Sequence, residues 1–165
     1  SFWLPQLIKN LGVKDIMTVG LLSAIPYGVA AVCMVLVGQS SDRQAERRWH
    51  LVVPALLGAI GLVLSGVFGN QPVLGMLALT LGTAGILSVL PVFWTLPTAF
   101  LTGASAAAGI ALVNSIGNLA GFLSPFMVGL IKDATGNTTL ALYMLAASMA
   151  LGAALTFLVT RRSNR

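Results

Sequence analysis

Two asparagines, Asn114 and Asn118, stand four residues apart inside a long apolar stretch, with Ser115 between them and Trp94 upstream. A side-chain amide offers two donors and an acceptor, suited to a hydroxyl or carboxylate oxygen. In a hydrocarbon environment the same amide is costly unless it is paired or faces a cavity. The stretch from Pro91 to Pro125 also carries Phe93, Pro97, Gly103, Gly109, Gly117 and Gly121. It reads as two membrane helices that meet at a short uncharged turn and form one wall of a solute site. Trp94 would add a flat apolar wall and one N–H.

The remaining chain must position that wall. It has 165 residues, 57% hydrophobic and 8% charged, and a mean hydropathy of +0.94. A soluble domain carries about 25% charged residues, so the composition indicates an all-α integral membrane protein embedded in a lipid bilayer. The net charge of +5 does not point to nucleic acid, because the basic residues sit between apolar runs, where they set topology. Cys33 is the single cysteine, and His50 the single histidine, beside Trp49 at the edge of a charged loop. The spans hold no Asp, Glu, Lys, Arg or His. The sequence thus offers no embedded metal centre, no nucleophile–base pair and no cofactor site, and an enzyme is not expected.

Residues 1–8 read as the end of a helix whose upstream part lies outside the chain, with Trp3 and Lys9 marking its exit into the headgroups. Complete spans are expected at 17–38, 51–69, 73–96, 106–131 and 139–160. The first, at about 1.5 Å per residue, gives about 33 Å, enough for a hydrocarbon core of about 30 Å. Pro26 should kink it, and Tyr27 beside the kink either points into a cavity or bonds a freed carbonyl. Six arginines (Arg43, Arg47, Arg48, Arg161, Arg162 and Arg165) fall on one side and three lysines (Lys9, Lys14 and Lys132) on the other. The excess puts the arginine side, with the C-terminus, in the cytoplasm.

The charged loop runs Gly38-Gln-Ser-Ser-Asp42-Arg43-Gln-Ala-Glu46-Arg47-Arg48. It resembles the G-x-x-x-D-R-x-G-R-R signature of the major facilitator superfamily. It departs in that Glu46 stands in an extra position before the double arginine and the internal glycine is absent. Phe2-Trp3-Leu4-Pro5-Gln6, Ala24-Ile25-Pro26-Tyr27, Ser41-Asp42-Arg43, Phe93-Trp94 and Asn114-Ser115-Ile116-Gly117-Asn118 together resemble its anion:cation symporter branch. The resemblance implies a C-terminal six-helix bundle, helices seven (truncated) to twelve of a twelve-helix carrier in the bacterial inner membrane. On the same resemblance, the partner expected for it is the N-terminal six-helix half of the same protein.

The same resemblance implies a secondary active transporter that moves a small organic anion, a sugar acid or an aromatic or hydroxy acid, together with a proton by alternating access. Phe93, Trp94 and Asn114 would line the cavity, with Asn118, Tyr27 and Gln6 as further contacts. Gly38, Asp42, Arg43, Arg47 and Arg48 would form a conformational latch. The charges that meet the anion and the proton would belong to the absent half. Other readings stay open. The asparagines can act as interhelical glue, Trp94 as an interface anchor, and Gly117 with Gly121 as a G-x-x-x-G helix contact. The protein can also belong to a sugar or drug/proton exchange branch, or be a non-transporting membrane scaffold subunit.

Overall fold

The computed structural model describes residues 4–13, 15–100 and 103–162. Phe2, Trp3, Lys14 and Arg165, which the sequence reading used, lie outside them. Seven helices follow in order: α1 (Leu4–Asn10), α2 (Ile16–Gln44), α3 (Arg48–Val67), α4 (Pro72–Phe93), α5 (Thr95–Phe100), α6 (Gly103–Thr135) and α7 (Thr139–Arg162). Five of them, α2, α3, α4, α6 and α7, are long and apolar enough to cross a membrane. A lipid-embedded chain must satisfy its backbone internally, and a helix does so within one segment.

The helix ends depart from the sequence expectation for identifiable reasons. Helix α2 continues six residues beyond Gly38, so Asp42 and Arg43 lie in its last turn rather than in a loop. It starts at Asp15, whose carboxylate accepts from the Thr18 N–H at 2.7 Å and the Thr18 hydroxyl at 2.6 Å, a side-chain N-cap. Helix α4 ends at Phe93, short of the expected residue 96, and α5 replaces part of the expected turn. Pro97 has no N–H to offer the Phe93 carbonyl four residues back, which breaks the ladder there. The Thr95 hydroxyl bonds the Val92 carbonyl at 2.7 Å across the break. Helix α6 begins before residue 106 and runs to Thr135, where Gly136 takes a positive φ of 74° and donates to the Lys132 carbonyl at 2.8 Å.

Helices α2, α4, α3 and α7 pack side by side in that order, and α1 lies against α2 and α4. The closest approach is between α3 and α4. A Cβ built on Gly85 would fall 2.6 Å from the Pro54 carbonyl oxygen and against the backbone of Gly58. One built on Gly61 would overlap the backbone of Gly82. Small residues at three-residue spacing let two backbones touch, and dispersion rather than a hydrophobic effect holds helices together in lipid. Leu4, Ile8, Leu11, Val19 and Leu79 close the α1 end, and Ala59, Leu62, Leu142 and Ala146 seal α3 to α7.

Helix α6 is different. Among the described residues its backbone comes close only to its chain neighbours α5 and α7. Among the described residues nothing meets the G-x-x-x-G pair Gly117 and Gly121, since a Cβ on either would meet open space. The glycine seam lies in α3 and α4 instead, and α6 stands away from the layer across a cavity. In the full-length carrier, Gly85→Ala should lower the melting temperature in detergent by the equivalent of about 1–3 kcal/mol, the cost of forcing a methyl into a packed contact. Gly117→Ala should leave it unchanged or raise it, because alanine is the better helix former.

Candidate functional site

The gap between α6 and the layer is a cavity of about 430 Å³. Leu79, Ile86 and Leu142 supply much of its apolar wall, and Tyr27, Thr83, Ser124 and Thr138 bring hydroxyl groups to it. Among the described residues no charged side chain lines it. On α6 the lining residues are Gly121, Ser124, Pro125 and Val128. Asn114, Asn118, Gly121, Pro125 and Val128 recur at alternating spacings of four and three, which places them on one stripe of the helix. The two asparagines therefore share the helix face of the lining residues, one and two turns closer to the α6 N-terminus. Both are exposed.

Of the residues singled out from sequence, Tyr27 lies in the lining, half-buried beside the fully buried Pro26. Gln6 is half-buried on α1, between the lining residues Leu4 and Leu7. Phe93 and Trp94 meet edge to face at 5.5 Å where α4 gives way to α5. Neither they nor Asn114 and Asn118 are part of the enclosed lining. Thr83, Ser124 and Thr138 were not foreseen. Single hydroxyls in glycine-rich helices usually bond their own backbone, so only the stand-off of α6 marks them.

At the other end of α2, a compact polar cluster joins α2 to α3. Arg47 Nη1 donates to Asp42 Oδ1 at 2.6 Å and to Ser41 Oγ at 2.9 Å, and the Ser41 hydroxyl donates to the Glu46 carbonyl at 2.6 Å. The Trp49 N–H donates to the Glu46 carboxylate at 2.8 Å, which caps α3 with a negative charge. His50 Nδ1 lies 2.8 Å from Glu46 Oε2, and Nε2 lies 3.0 Å from Ser40 Oγ. Of the residues read as a latch, Asp42 and Arg47 pair, and Gly38 faces Pro91 of α4 at contact distance. Arg43 is exposed in the last turn of α2. Arg48 turns away, with its guanidinium carbon 3.6 Å from the centre of the Phe157 ring on α7.

Ala45 ends α2 with φ 50° and ψ 30°, a left-handed conformation. It stands three residues after Asp42, where the signature has its glycine. The glycine's role there is thus conformational, and this chain bears the strain of an alanine, about 1–2 kcal/mol. The sequence profile of the Major Facilitator Superfamily matches residues 1–125. The chain belongs to that family.

A quinolone resistance transporter of Acinetobacter baumannii is 44% identical over 165 residues, all of this chain and 38% of that protein. A putative tartrate transporter of Agrobacterium vitis is 45% identical over 165 residues, all of this chain and 36% of that protein. The putative metabolite transport protein NicT of Pseudomonas putida is 40% identical over 151 residues, 92% of this chain and 35% of that protein. The chain thus spans a little over a third of the length of these relatives. No solved structure matches it. The protein is a multi-pass membrane protein of a carrier family.

Two outcomes test the α2–α3 cluster in the major facilitator carrier. Ala45→Gly should raise the melting temperature modestly, since relief of the left-handed strain exceeds the extra chain entropy of glycine. Burial pushes the Glu46 carboxyl up, but the bonds from the Trp49 N–H and His50 outweigh it and hold the group below its ordinary value of 4.5. A depressed folded-state value stabilises above the ordinary one, and that contribution vanishes as pH falls through the lower value. Glu46→Gln should therefore cost about 1 kcal/mol at neutral pH, and the difference from the parent should close on acidification below pH 4.5.

Proposed function

We propose that the full-length protein is a secondary active carrier that takes up an organic anion with a proton, and that this chain is its C-terminal half. The observation that carries the reading is the uncharged character of the α6 stripe and the cavity it borders. Asn114 and Asn118 can hydrogen-bond hydroxyl or carboxylate oxygens without adding charge, while Tyr27 and Thr83 offer hydroxyls deeper in. In this reading the half presented here recognises the neutral body of the substrate. The cation that meets the carboxylate and the acid that carries the proton lie in the other half, and the two bundles rock about the shared site. Phe93 and Trp94, at the α4–α5 break, would flank the mouth. The arginine-rich ends would face the cytoplasm, with the Asp42–Arg47 cluster holding the halves together in one conformation.

Two of the relatives just described support an organic-acid or metabolite cargo by their names, a tartrate transporter and a metabolite transport protein. The quinolone resistance relative favours a second reading, proton-driven exchange of an aromatic drug. Transport by the full-length carrier in proteoliposomes separates them. Uptake of a hydroxy acid should rise with an inward proton gradient and collapse with a protonophore, whereas an exchanger would move quinolone outward against the gradient. Asn114→Ala should raise the KM about three- to ten-fold, the weight of one net hydrogen bond, with expression unchanged. Residues 1–165 alone should transport nothing, and uptake by them would sink the half-site reading.

A further inference from the structure

Arg48 is the one guanidinium in the α2–α3 region that a ring, rather than an acid, holds in place. Its carbon sits 3.6 Å from the centre of Phe157 and 5.8 Å from that of Trp49, and the two rings meet edge to face at 5.5 Å. Its Nε is buried with no hydrogen-bond partner. Among the described residues Arg48 makes no ion pair, and both acids of the region are engaged, Asp42 with Arg47 and Glu46 with His50 and the α3 N-terminus. A partly buried cation over an aromatic face gains about 1–2 kcal/mol, and it still lacks a counter-charge.

The surroundings say what sort of anion fits. Arg48 and Trp49 open α3, and Phe157 lies near the end of α7, so the corner stands where two apolar spans emerge from hydrocarbon. Below it, Trp49, Val53, Leu56, Ile60, Val63 and Val67 recur at alternating spacings of four and three, and every one is exposed. That is one continuous apolar stripe running down α3 from the guanidinium. A soluble anion would use the charge and leave the stripe uncovered. An amphiphile with a phosphate above and a hydrocarbon chain below uses both.

We infer that the Arg48–Trp49–Phe157 corner seats the phosphate of an anionic phospholipid, with one acyl chain along the α3 stripe. Trp49, 53% exposed, lies at the level of the headgroups, where indole rings are enriched. This seat is on the flank formed by α3 and α7, and it does not depend on which substrate the carrier moves.

Native mass spectrometry of the full-length carrier, taken from micelles holding equal phosphatidylglycerol and phosphatidylcholine, tests this. The parent should retain phosphatidylglycerol preferentially. Arg48→Gln should reduce that preference about five-fold, the weight of one basic residue at an anionic surface, while Arg48→Lys keeps most of it and Arg43→Gln all of it. Should Arg48→Gln misfold, the unmodified protein still decides, because bromine-tailed phosphatidylglycerol should quench the fluorescence lost in Trp49→Phe more than bromine-tailed phosphatidylcholine does. Equal retention by the parent and Arg48→Gln, or equal quenching by the two lipids, overturns the inference. So does displacement of the lipid by millimolar inorganic phosphate or by a soluble polyglutamate, which would make the corner a free-phosphate or acidic-peptide site.

Discussion

The backbone contact between α3 and α4 sets the geometry of everything around it. Gly58 and Gly61 on one helix meet Gly82 and Gly85 on the other with no side chain between them. In lipid, two helices gain little by hiding apolar surface, so they associate where shape allows the most dispersion contacts. Glycine at three-residue spacing on both partners provides that shape. With α3 and α4 in register, α2 lies on the outer side of α4, and α7 lies on the outer side of α3. The layer is stiff because its centre leaves no room for adjustment.

The stiffness of the layer contrasts with the placement of α6, which makes the cavity possible. Gly117, Gly121 and Gly129 face open space, and large side chains such as Leu112, Ile116, Leu119 and Phe122 are exposed. Where α3 and α4 spend their glycines on contact, α6 leaves room for a solute. Hydroxyls of Tyr27, Thr83, Ser124 and Thr138 occupy the gap in place of a packed interface. The polar cluster at the other end of α2 has the opposite character. Asp42 pairs with Arg47 and Glu46 with His50 within hydrogen-bond distance, whereas Arg48 rests on aromatic rings.

Much of this was legible from residue types. Runs of apolar residues without charge mark the spans, because only a helix can satisfy the backbone across hydrocarbon, and each of the five spans is a helix. Asp42-Arg43 with Arg47-Arg48 marks the family. What was not legible depends on tertiary contact. Glycine occurs in α3, α4 and α6 alike, and nothing in Gly117-x-x-x-Gly121 distinguishes a helix that packs from one that stands apart. The break at Trp94 inside the Pro72–Pro97 span was not legible, because Pro97 acts on a carbonyl four residues earlier than itself. The absent signature glycine became intelligible only when Ala45 was found in the left-handed region. Arg48 read as part of a charge latch, and only the fold brings Phe157, over a hundred residues on, beneath it.

The joint between α4 and α6 has a mechanical consequence. Gly103 opens α6 with a φ of 56°, and among the described residues the 33-residue α6 brings its backbone close to no long helix except α7. Such a rod is about 50 Å long at 1.5 Å per residue. Its glycine end would be the pivot of any tilt, and its far end joins the start of α7 through Gly136. A tilt of about 10° at Gly103 sweeps Asn114 through roughly 3 Å and Pro125 through roughly 6 Å, on the same rise per residue. On such a rod a tilt would displace the cavity-lining proline about twice as far as Asn114, and even the smaller shift exceeds the range over which a hydrogen bond survives.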